Sequence, residues 1–152
     1  MRHEGPHVKG IVADFAYGVA ADVQAGVNAV RAYLGQGYGG TPGVQLCVSS
    51  ERALTLPDGK PVLAYFEWPT LSPQVVPWVN IVVAGGFPKR CTEFGLTRAE
   101  AVSAIQRACI HEFLHVRQWH IGGQPTNRGI SAAATRLQRE MLKAASAITH
   151  NP

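Results

Sequence analysis

Two histidines and a glutamate in the string HEFLH, His111 to His115, have the types and spacing of a metal-dependent hydrolase site. Four residues apart on a helix, the two imidazoles share one face and can grip a single Zn²⁺, with Glu112 beside them as a candidate general base. A five-residue pattern also arises by chance, so its meaning depends on the flanking chain. The bland alternative is two ordinary histidines on a half-buried helix, an account that gives no reason for the glutamate between them.

The flanking chain reads as helical. Thr97 and Glu100 in TRAE form a capping box, and Ala99, Ala101, Val102, Ala104, Ile105, Ala108 and Cys109 follow with no Gly or Pro before Gly122 and Gly123. This predicts a helix of about two dozen residues with the motif late in it. At about 100° per residue, Val102, Ile105, Cys109, Phe113 and Val116 make one apolar stripe, and His111 and His115 project opposite it above Ala104 and Ala108. Ile110 and Leu114 add a second apolar edge, so the helix is expected to be central.

A catalytic zinc takes three protein ligands and a water, so one ligand is still missing. His120 lies about 180° around the helix from His111, and the Gly pair that ends the helix comes after it, which excludes it. Glu140 is the only carboxylate after Glu112. It falls on a second helix, expected from Ile130 to Ile148, where Ile130, Ala134, Leu137, Met141, Ala144 and Ile148 keep an apolar stripe. Glu140 flanks that stripe and is open to two readings: a metal ligand, or a solvated partner of Arg136 and Lys143. The intervening GGQPTNRG is loop by composition and lets the second helix fold back antiparallel. Hydrolysis also calls for an oxyanion donor, for which His150, Tyr65 and Arg136 are candidates.

From Ile81 to about Ala147, as strand, HEFLH helix, loop and glutamate-bearing helix, the chain resembles the zincin metallopeptidases in their gluzincin arrangement. That resemblance implies zinc bound by His111, His115 and Glu140, a water activated by Glu112, and a peptide or protein substrate. The longer string HEFLHVRQW is also similar to the HExxHVxQ run of small metallopeptidase-like domains attached to bacterial toxins and injection systems. The chain departs from these patterns in places. Ala144 stands where the thermolysin-type pattern carries an aspartate, so the histidines must be oriented from elsewhere. Gln118 and Ile121 replace the glycine and third histidine of the metzincin string. A deformylase-like metal amidohydrolase, with Cys47 as third ligand, stays open as an alternative; Cys109 points away from the histidines and Cys91 precedes the helix. So does a metal-binding domain without turnover.

The elements that must position this motif are expected to form an α+β, zincin-like domain over residues 11–152, after a flexible lead at 1–10. An N-terminal helix is expected from Ile11 to Leu34, because Phe15, Val19, Val23, Val27 and Val30 keep helical spacing. Strands are expected at Val44 to Val48, Ala53 to Leu56 and Val62 to Trp68, with Pro57 to Lys60 closing a hairpin, and at Trp78 to Ala84, in a small mixed or antiparallel sheet. A strand at the cleft edge can pair with an extended peptide. Trp78, Asn80 and Val82 are the substrate-binding candidates on that ground, with Val62 to Trp68 the other strand that could serve.

Composition narrows the classes. Of 152 residues 46% are apolar and 16% charged, which is globular rather than disordered. The net charge of +4 is modest and spread out, and no helix-turn-helix, zinc finger or aromatic-basic ribbon accompanies it, so no nucleic-acid partner is expected. No run reaches the length of a membrane span and the N-terminus has no apolar signal region, so a soluble chain is expected, cytoplasmic or exported by a signal-peptide-independent route. Three cysteines exclude a full disulfide framework but allow one bridge, from Cys91 to Cys47 or Cys109.

Overall fold

The computed structural model of the chain describes residues 10–37, 42–73, 75–76, 78–123 and 126–149. The expected lead before Gly10, and His150, lie outside the described residues. The architecture is α+β. A four-stranded sheet is built from β1 (Ile11–Phe15), β2 (Gly43–Ser49), β6 (Trp78–Ala84) and β5 (Ala64–Phe66), in the order β1-β2-β6-β5. β1, β2 and β6 run parallel and β5 runs antiparallel to β6, so the sheet is mixed. β3 (Leu54–Thr55) and β4 (Pro61–Val62) form the expected hairpin. Its turn is closed by the Gly59 amide on Leu56 O, with Gly59 at φ +87°, and by the Asp58 side chain on Lys60 N.

The N-terminal segment corrects the expectation of one helix from Ile11 to Leu34. Ile11–Phe15 is an edge strand, and α1 begins only at Ala21 and runs to Gly37. Ile11, Val12 and Phe15 suit a pleated surface, and Gly18 at φ +91° breaks the chain before the helix starts. Pairing with β2 then decides the conformation, since Val44 N donates to Gly10 O and Ala16 N to Val48 O. Helical spacing holds only for Val23, Val27, Val30 and Leu34, the buried face of α1.

One face of the sheet carries the core. Val44, Leu46, Val48, Val79, Ile81 and Val83 are at most 3% exposed and pack against α1 and α2. α2 (Arg98–His120) opens with the expected capping box: Thr97 Oγ1 accepts from Glu100 N at 3.1 Å, and Glu100 Oε1 accepts from Thr97 N at 2.9 Å. It buries Ile105, Cys109, Ile110, Phe113, Leu114 and Val116, as its phase requires. α1 crosses it closely at Gly26, where a Cβ would stand 2.8 Å from Val102 Cγ1, and Gly26 O accepts from Gln106 Nε2 at 2.9 Å. Asp22 and Arg98 join the first turns of the two helices through bonds of 2.6 and 2.9 Å.

α3 (Ile130–Thr149) returns antiparallel to α2. Gln138, only 4% exposed, fixes the register: its Nε2 donates to Ser103 O and Oγ, and its Oε1 accepts from Arg107. Leaving such an amide unpaired in a core costs roughly 1–3 kcal/mol, so this network selects one sliding position of α3. The three cysteines are free thiols, and burial pushes Cys109 up to about 12. No described helix is long and apolar enough to cross a membrane.

Candidate metal centre

The phase of α2 turns His111 and His115 out of the core, half-buried, with ring centroids 5.0 Å apart in an edge-to-face arrangement. Ligand atoms of His111, Glu112 and His115 all lie within 4.8 Å of one another, the one such group among the described residues. The structure thus brings together three of the residues singled out in the sequence.

Each is held by specific partners. His115 Nδ1 lies 2.7 Å from Gln118 Oε1, one turn along the helix. Gln118 is itself fixed, because its Nε2 donates to Thr126 O at 3.0 Å, which leaves only its carbonyl oxygen facing the ring. Its other ring nitrogen, Nε2, lies 3.0 Å from Asn127 Oδ1, so the ring is oriented from both sides, as a second partner does for metal-binding histidines. Glu112 Oε1 accepts from the Phe66 backbone N–H at 3.0 Å, and its Oε2 lies 3.8 Å from His111 Nε2. Burial raises the Glu112 carboxyl above the usual range, while His115 and the Phe66 amide pull it back. Burial also holds His111 below the ordinary imidazole value; His115 adds to this, and a hydrogen bond accepted by Asn127 opposes it.

The group opens onto a cleft in two lobes that meet at Glu112. One, of about 240 Å³, is lined by Phe66, Trp68, Glu112, His115, Thr126 and Asn127. The other, of about 390 Å³, lies between β4–β5 and the α2–α3 pair, with Ala104, Ala108, Ala134 and Thr135 as small lining residues and Arg107 among them. Phe66 packs on Trp68 at 5.5 Å and on the edge of Trp119 at 6.1 Å, so the strand beside Glu112 is anchored by aromatic contacts.

Compared with family models, curated proteins and solved structures, the chain matches none.

Several candidates from the sequence do not reach the site. Glu140 is exposed on α3, beyond Gln138, which sits level with Ser103 and Arg107. The part of α3 that borders His111 is Ser131 to Thr135, and nine residues of helix from Ser131 to Glu140 span roughly 13 Å. Glu140 is accordingly absent from the ligand group. Antiparallel packing puts the start of α3, not its middle, against the end of α2.

Trp78, Asn80 and Val82 correct the substrate-strand expectation. β6 is an interior strand, paired by β2 on one side and β5 on the other. Val79, Ile81 and Val83 face α2, so Trp78, Asn80 and Val82 alternate onto the opposite face. Trp78 covers Gly43 there, where a Cβ would meet its ring at 2.5 Å. Tyr65 and Cys47, registered with Val82, share that far face. This separates Tyr65 from an oxyanion role and Cys47 from the third-ligand place of a deformylase-like site. Arg136 is exposed on α3 and His120 stands outside the ligand group.

Sequence reasoning missed Gln118, Arg107 and Asn127. Gln118 follows His115 by three residues and Arg107 precedes His111 by four, so helix phase alone carries a signal for both. Asn127 sits in a loop and has no periodic signal.

Proposed function

We propose that the chain is a zincin-like, zinc-dependent hydrolase of peptide bonds, with His111 and His115 as metal ligands and Glu112 as general base. The observation that carries this is the convergence of ligand atoms from His111, Glu112 and His115 within 4.8 Å of one another. A helix packed only for stability gains nothing from gathering two imidazoles and a carboxylate at a cleft and orienting one ring through Gln118. Two imidazoles in a partly buried cleft suit zinc among the common divalent ions, and the lowered His111 value keeps that ring free of competing protons at neutral pH.

When bound, such an ion lowers the pKa of a water and polarises a carbonyl. The protein's part is positioning and proton transfer. Phe66 N–H holds Glu112 Oε1, leaving Oε2 to take a proton from water and return it to the leaving amine. Its raised pKa brings the carboxylate nearer to neutral pH, which makes it a stronger base.

β5 suits a peptide partner. Leu63, Tyr65 and Glu67 make the hydrogen bonds to β6, as shown by Ala84 N on Leu63 O and Glu67 N on Asn80 O. Ala64 and Phe66 therefore turn their backbone groups outward at the sheet edge, beside Glu112. An extended peptide adding to that edge would run past the carboxylate and between the two lobes of the cleft. This supports the Val62 to Trp68 segment, rather than β6, as the substrate strand.

The test is cleavage of a mixed peptide pool by zinc-loaded protein. Cleavage that stops with chelator and returns with added zinc is expected. Stoichiometric zinc without cleavage would leave a metal-binding domain without turnover in its place.

A further inference from the structure

We infer that Asn127, through its side-chain oxygen, is the third protein ligand of the cation held by His111 and His115. The inference rests on the metal-binding reading above and extends it to a residue that neither the HEFLH pattern nor the gluzincin resemblance contains.

Three observations carry it. Asn127 Oδ1 lies 3.0 Å from His115 Nε2, and the same side chain hydrogen-bonds the His111 ring, so one amide spans both imidazoles. Both ring nitrogens of His115 face side-chain oxygens, Nδ1 that of Gln118 and Nε2 that of Asn127, while a neutral imidazole has one N–H to donate. One of the two contacts therefore calls for a second proton, a turned amide or a shared cation, and the ligand atoms of His111 and Glu112 alongside favour the cation. Metal bonds of 2.0–2.2 Å at tetrahedral angles put neighbouring ligand atoms roughly 3.3–3.6 Å apart, so a few tenths of an ångström of opening would admit the ion.

The position of Asn127 is also built rather than incidental. Thr126, its neighbour, is tied to α2 by Gln118, and Asn127 O accepts the first amide of α3 from Ile130 at 3.1 Å. The residue is thus held between the end of one helix and the start of the next, on the side where the histidines open. Glu140 does not come near, and apart from Glu112, assigned as the base, the described residues add no carboxylate or imidazole to the two histidines. A neutral His-His-Asn set leaves the full charge of the ion on the site. It binds more weakly than a set with a carboxylate but polarises its water more strongly. Without metal, the amide can turn over and donate Nδ2–H to His115 Nε2, which makes the same side chain a cap on the empty lone pair.

Zinc affinity is measured by competition with a chromophoric chelator, and coordination by the visible spectrum of the cobalt-substituted protein, for wild type, Asn127→Ala and Asn127→Asp. Asn127→Ala should bind zinc at least about tenfold more weakly and change the cobalt band. Asn127→Asp, which restores an oxygen ligand and adds charge, should bind at least as tightly as wild type. Asn127→Ala with wild-type affinity and an unchanged cobalt spectrum would overturn the assignment. Equal weakening in both variants would do so too, because it would reduce Asn127 to a hydrogen-bonding cap. Wild type that binds no zinc would sink this inference together with the reading it rests on, and so separates the two failures.

Discussion

Replacing Gln118 with alanine removes two hydrogen bonds and one constraint. The bonds, 2.7 Å from His115 Nδ1 and 3.0 Å to Thr126 O, sit at the half-exposed end of α2. At about 0.5–1.5 kcal/mol each, discounted because water replaces them, their loss costs folding roughly 1 kcal/mol. Metal affinity should suffer more. Partners that orient a ligating histidine are worth about 10- to 100-fold in affinity, roughly 1.4–2.7 kcal/mol, because the free ring turns and populates the tautomer with its proton on Nε2. Gln118→Glu keeps the acceptor for Nδ1–H while losing the donor to Thr126 O, so it should recover most of the affinity that Gln118→Ala loses. Competition titration with zinc measures the effect. Nitrogen chemical shifts of the metal-free His115 ring report the tautomer directly. A wild-type ring protonated on Nε2, or a Gln118→Ala variant with undiminished affinity, would refute the clamp.

Two further outcomes follow from the same geometry. Glu140→Gln should leave zinc affinity unchanged; a loss comparable to that of His115→Ala would restore the gluzincin-type ligand set and displace Asn127. In the metal-free protein, Glu112 holds its proton above the ordinary 4.5, so between that value and its folded pKa the folded chain carries a proton the unfolded chain has released, and stability falls as pH rises there. His111 lies below 6.5, so just under that pH the unfolded chain holds the extra proton and stability rises with pH. Glu112→Gln should therefore gain stability over wild type as pH climbs from about 4.5, read by urea unfolding across that range. A constant difference would show that the buried carboxylate carries no such penalty.

Much of the scaffold was legible because local signals and tertiary packing agree. Thr97 and Glu100 cap α2, Trp78–Ala84 is a strand with the expected bounds, and Pro57 to Lys60 turns the hairpin. Ile130 opens α3, and Ile130, Ala134, Leu137 and Met141 of its apolar stripe join the core. The segment Ile11–Phe15 was not legible, because Phe15 and Val19 continue the spacing of Val23 and Val27 by accident, and only pairing with β2 overrides it. The same holds for β6: its alternation is visible in sequence, but that β5 and β2 flank it is set by strand order. Around the motif, helix phase placed His111, Glu112 and His115. What lay beyond one helix, the loop carrying Asn127 and the depth at which α3 crosses α2, depended on Gln118 and Gln138, side chains that read as ordinary polar residues.

The central claim is that Glu112 moves a proton in a zinc-dependent hydrolysis. Peptide cleavage by wild type and Glu112→Gln, compared at equal measured zinc content, tests it most directly. The variant should keep its zinc and lose cleavage by at least about 10²-fold. A zinc-loaded Glu112→Gln protein that cleaves as fast as wild type would contradict it.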